Sequence, residues 1–156
     1  MNPDSSSGPS WGLVLIRIVV GAVLLYAGWI KLQMGIGEEL VTSTRERIAE
    51  APDLYRAFAE NVVLQHPWFF AQCIVWGELL GGLCLFLGVL TRPAGFASAF
   101  LFANFVFAAP AEQRVTAIVL LAACLGCAIS RAGRVAGADV FLDGKLPGWI
   151  TWTRGG

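Results

Sequence analysis

Long apolar runs alternate with short polar interruptions along this chain. Four runs stand out, at residues 11–34, 68–90, 94–109 and 115–130. Apolar positions are nearly continuous within each, with no period-two alternation, which predicts helices and not the strands of a barrel. A helix needs ~20 residues to cross the ~30 Å hydrocarbon layer of a bilayer. The first two runs meet that length. The last two are shorter and rely on flanking residues or a thinner bilayer. Proline punctuates the pattern: Arg92-Pro93 separates the second run from the third, and Pro110 closes the third. The predicted fold is all-α, an integral membrane four-helix bundle over 11–131. Residues 1–10, rich in Ser and Pro, are expected to be disordered. They carry no Lys or Arg, and the run that follows exceeds a signal h-region, so a cleavable signal peptide is not expected. Residues 132–156 are expected to form an interfacial tail along the membrane face, with Trp149 and Trp152 at the headgroups.

The link between the first two runs, 35–67, has another character. It holds six acids and three arginines. Glu46, Arg47 and Glu50 supply a polar face, while Ile48, Leu54, Phe58 and Val62 supply apolar positions. This predicts an amphipathic helical segment, folded over the bundle or lying at the interface.

Composition agrees with a membrane protein. The 156 residues are 56% hydrophobic and 14% charged, with a mean hydropathy of +0.67, where a soluble domain has about 25% charged residues. Eleven basic and eleven acidic residues cancel, which removes the footprint of a nucleic-acid binder. His66 is the single histidine, which argues against a His-rich metal site, a bis-histidine haem and an acyl-transfer triad. No glycine-rich nucleotide fingerprint follows a strand. No metal, haem or nucleotide is therefore expected, and no nucleic-acid partner. Basic residues divide five and five between the two sides of a four-helix topology. The Arg131/Arg134 cluster beside a helix end and the acidic long link favour cytoplasmic termini, in a bacterial cytoplasmic membrane.

Polar residues inside the runs carry the candidate chemistry. Arg17, Glu78 and Asn104 each lie well within a run, and a charge near the bilayer centre costs at least ~2.5–3.5 kcal/mol, so each needs a partner or a cavity. The expected arrangement is an Arg17–Glu78 pair with Asn104 nearby and Trp76 lining a pocket. Arg and Asn donate hydrogen bonds to carbonyls, and a glutamate transfers protons, which suits the head of a quinone in a greasy pocket. The same pair also serves if it only fixes helix register. Gly21, Gly28, Gly77, Gly81 and Gly82 permit close helix approach around these groups. Trp11, Trp29 and Trp68 suit an interfacial aromatic belt. Cys124 and Cys127 have the spacing of a redox pair, yet their apolar setting favours packing. His66, at the mouth of the second run, is an interfacial residue or a proton-exchange group.

These pieces together resemble the DoxX/DoxD-like membrane proteins. The resemblance is carried by Arg17, by the run Tyr26-Ala27-Gly28-Trp29-Ile30-Lys31-Leu32, by Trp76-Gly77-Glu78-Leu79-Leu80-Gly81-Gly82-Leu83, and by Leu87-Gly88-Val89-Leu90-Thr91-Arg92. Asn104-Phe105, Gly133-Arg134 and Gly137-Ala138-Asp139 complete it; family relatives often have Leu where Ala138 stands. The resemblance implies a four-helix membrane bundle. It maps the family's recurring Arg to Arg17, its Gly-Glu pair to Gly77-Glu78 and its Asn to Asn104. Namesake members are subunits of a thiosulfate:quinone oxidoreductase, and others are membrane partners in thiol or oxidative-stress complexes. Three functions follow as expectations. The first is a quinone-interacting membrane subunit of a redox complex, with quinone as the cofactor and other membrane or peripheral subunits as partners beside the lipid bilayer. The second is a non-catalytic scaffold or assembly subunit. The third is membrane thiol oxidation through Cys124 and Cys127.

Overall fold

A computed structural model describes residues 11–34, 42, 45–48, 51–108, 110–130 and 137–139. The expectations for residues 1–10, for Trp149 and Trp152, and for most of the tail lie outside these. Every described element is a helix. Helix α1 is Trp11–Met34, α2 is Asp53–Phe58 continued by a π turn Ala59–Val63, α3 is Pro67–Leu87, α4 is Thr91–Ala108 and α5 is Ala111–Ile129. The limits of α3, α4 and α5 differ by up to four residues from those expected. Helix α5 begins earlier because Pro110 leads into it, and the polar residues Glu112, Gln113 and Arg114 fill its first turn. Helices α1, α3 and α5 are long and apolar enough to cross a membrane. Helix α4, which carries Arg92, Pro93 and Asn104, is not among them.

Helix α1 packs along α3 and α4 along α5, while α3 adjoins α4 and α1 touches α5. One end of the fold therefore gathers the start of α1, the α3–α4 turn and the end of α5. The other gathers the end of α1, the start of α3 and the α4–α5 junction, together with α2. The inward positions of α1 recur at spacings of three and four: Val14, Arg17, Gly21, Leu24 and Gly28 are buried. Those of α3 do the same at Ala71, Val75, Glu78, Gly82 and Leu85. This is the spacing that keeps one stripe of each helix against a neighbour. The stripes meet without side chains at Gly21 and Gly82. A Cβ on Gly21 would lie 2.5 Å from the Phe86 backbone nitrogen, and one on Gly82 would lie 2.8 Å from that of Leu25. Gly95 and Ala128 make the equivalent approach between α4 and α5. Between these pairs sits an apolar core of Val20, Leu24, Leu85, Ala99, Phe102, Cys124 and Cys127.

The amphipathic link is helical over 45–48 and 53–63. Its buried positions are Ile48, Ala51 and Ala59, whereas Leu54, Phe58 and Val62 face outward, Leu54 being 87% exposed. Of the four apolar positions, only Ile48 packs inward; the outward three suit the interfacial alternative. The inward face of α2 is made by an alanine and by Tyr55, which stacks on Phe107 of α4 at 5.9 Å and 23°. Burial pushes the Tyr55 phenol up from its ordinary pKa, so the ring stays neutral.

Candidate functional site

Two buried charges sit at opposite ends of the α1–α3 seam. Glu78 is 2% exposed, and its carboxylate oxygen Oε1 accepts a hydrogen bond from Lys31 Nζ. This corrects the expected Arg17–Glu78 pair. The antiparallel register places Gly28 opposite Glu78, a Cβ on Gly28 falling 3.2 Å from that of Glu78. Lys31 follows Gly28 by three residues and so shares its face. Arg17 instead lies level with Gly88, ten residues of chain beyond Glu78, roughly 15 Å along a helix. Continuing the three-and-four spacing of α1 past Gly28 leads to Lys31, and that periodicity was the signal available in the sequence.

The Lys31 ammonium also stands 5.1 Å from the centroid of the Phe105 ring on α4, a cation–π contact. The site therefore joins α1, α3 and α4. The Lys31 side chain keeps 29% of its surface exposed, because α1 ends one turn later, at Met34. Glu78 Oε2 is buried and has no hydrogen-bond partner among the described residues. Ser98 Oγ, facing Gly81 between α3 and α4, is in the same condition. A buried acceptor without a partner is costly, about 1–3 kcal/mol, and such an atom in a native site calls for a guest or a role.

Asn104 adjoins Phe105, but its Nδ2 donates to the Phe100 carbonyl of its own helix at 2.8 Å. It is not joined to Arg17. Trp76 does not line the seam: it is 50% exposed and its indole N–H donates to Gln72 Oε1 at 3.0 Å. One residue along a helix is a turn of about 100°, so Trp76, two before Glu78, faces the opposite way. His66 is exposed at the start of α3. Cys124 and Cys127 are fully buried free thiols in the core.

At the other end, Arg17 is 1% exposed and its guanidinium packs on Gly88. Gly88 closes α3 in the left-handed conformation, φ 68°. Its N–H donates to the Leu85 carbonyl and that of Val89 to Cys84, the paired bonds of a Schellman cap. A Cβ there would lie 2.0 Å from Arg17 Nη1, so the position demands glycine on both counts. Residues 137–139 return to this turn. Asp139 N–H donates to the Gly88 carbonyl at 2.8 Å, and its carboxylate accepts from Leu90 N–H at 2.6 Å and Thr91 N–H at 3.1 Å. Asp139 thus caps α4 from a distant part of the chain, and its negative charge acts on Arg17. The sequence placed Gly137-Ala138-Asp139 in an interfacial tail, with no signal of this return.

Residues 12–111 match the family model of DoxX. The chain belongs to the DoxX family. With three helices able to cross a bilayer, it is a DoxX membrane protein whose lipid partner is expected along the exposed apolar faces of α1, α3 and α5. No curated protein and no solved structure matches the chain. The DoxX match includes Arg17, Lys31, Glu78, Gly88 and Asn104 and stops before Asp139.

Proposed function

We propose that this DoxX protein is a four-helix transmembrane subunit of a redox complex that binds a quinone-type head group at the Lys31–Glu78 pair. One observation carries the reading: a carboxylate held by an ammonium inside the helix seam, with its second oxygen buried and unengaged. A quinone head carries polar oxygens on an apolar ring and suits a site with one charged donor, one free acceptor and the Phe105 ring. Lys31 would donate to a head-group oxygen, and Glu78 would accept a hydrogen bond or take up a proton at Oε2. When bound, the quinone supplies a two-electron carrier, and partner subunits would exchange those electrons with it. Helix α4 crosses the bilayer in this reading because α3 and α5 flank it. Both termini then share one side, taken as the cytoplasm of a bacterial cell. Arg17 and Trp76, expected at the pocket, take no part in it.

A second reading, a scaffold in which the ion pair only fixes register, is favoured by Asn104 bonding its own helix. Titration of the purified chain in detergent with a decyl-substituted benzoquinone separates the two. Saturable binding that weakens at least about tenfold in Lys31→Met, with helical content retained, is expected, tenfold being about 1.4 kcal/mol. The absence of saturable binding to the unaltered chain leaves the scaffold.

A further inference from the structure

The hydrogen-bonding inventory of the site selects between two forms of its ligand. Glu78 is engaged by an ammonium at Oε1, and an ionised carboxylate only accepts hydrogen bonds. Its free buried oxygen Oε2 therefore calls for a donor. Lys31 has three N–H donors; one is given to Glu78 and the ammonium also faces the Phe105 ring. What remains open is one acceptor, deep and dry, and a share of one donor nearer the surface. A ketone oxygen meets only the donor and leaves Oε2 unengaged. A ring hydroxyl meets both, giving its hydrogen to Oε2 and accepting from Lys31.

We propose that the site recognises the hydroxyl-bearing, reduced form of a quinone-type ring in preference to the dicarbonyl form, and that Glu78 Oε2 is the atom that reads the difference. This rests on the reading of the pair as a quinone-type site. The preference has a physical scale. A hydrogen bond to a charged group inside a protein strengthens binding by about tenfold to a hundredfold over its absence. Ser98 Oγ, which faces Gly81 one turn along α3, makes no hydrogen bond to Glu78.

The experiment uses the full chain in detergent, without oxygen, and three probes with one ring and one decyl chain. These are the hydroquinone, the benzoquinone and the dimethyl ether of the hydroquinone, with Kd measured by calorimetry. The hydroquinone is expected to bind at least about tenfold more tightly than either of the others. In Glu78→Gln, which offers an N–H where Oε2 was, the preference is expected to flatten or reverse. Equal or tighter binding of the benzoquinone overturns this inference and leaves the quinone site standing. A hydroquinone preference that survives Glu78→Gln also overturns it, since another group then reads the hydroxyl. Failure of all three probes overturns the inference and the proposed function together. If Glu78→Gln does not fold, the ranking of the probes on the unaltered chain decides.

Discussion

The two buried charges on the α1–α3 seam are treated in opposite ways. At the α3–α4 turn, Arg17 is enclosed by Gly88 and answered by Asp139, whose two carboxylate oxygens are both engaged by backbone N–H groups. At the α2 end, Glu78 has one oxygen engaged and one idle, and its partner Lys31 is part exposed. In the first arrangement both carboxylate oxygens are engaged, although Thr91 Oγ1 beside them is buried without a hydrogen-bond partner among the described residues. In the second the carboxylate is half engaged, and its lysine partner reaches the surface. Burial of a charge between membrane helices does not by itself mark a site. What separates the two carboxylates is the one acceptor oxygen left idle on Glu78.

Removing each counter-charge in turn tests the two ends against each other. Asp139→Ala leaves Arg17 buried without its nearby carboxylate and uncaps α4, and is expected to destabilise by about 3–5 kcal/mol. Lys31→Met leaves Glu78 able to take up a proton, and is expected to cost no more than about 1.5–3 kcal/mol. Thermal unfolding of both variants in one detergent measures the pair. A larger loss in Lys31→Met would invert the roles assigned to the two ends.

A smaller contrast separates the two glycines of α1. Gly21→Ala drives a Cβ into the backbone of α3, which cannot yield cheaply, and about 1–3 kcal/mol of destabilisation is expected. Gly28→Ala meets the Leu79 side chain at 2.9 Å, a movable neighbour, and its loss in the same unfolding assay is expected to be the smaller of the two. Equal losses would mean that the seam is as rigid at the Glu78 end as at the other. Smallest of all is Trp76→Phe. Outward placement confines its effect to within about 0.5 kcal/mol, and benzoquinone binding should be unchanged. Weaker binding in that variant would return Trp76 to the site.

Much of the fold was legible in the residues because its causes are local. Continuous apolar runs and proline positions mark the helices, and a match over residues 12–111 to the DoxX family agrees with the motifs around Gly28, Glu78 and Gly88. The burial of Arg17 and Glu78 was also legible, since each continues a three-and-four spacing of inward positions. Lys31 was hidden by its nearness to a helix end, where a lysine ordinarily reaches outward to the headgroups. Asp139 was hidden more deeply, because its partners Leu90 and Thr91 lie almost fifty residues away and no periodicity links a tail to a turn.

That charges are buried in apolar helices, on which helix and on which face, follows from the residues alone, because helical periodicity is a property of each segment. Which charge meets which is settled by how the helices pack. That choice depends on the register between antiparallel helices, set where Gly21 and Gly82 let two backbones touch. A shift of a few residues along that seam would pair Glu78 with a different neighbour while leaving every local pattern intact.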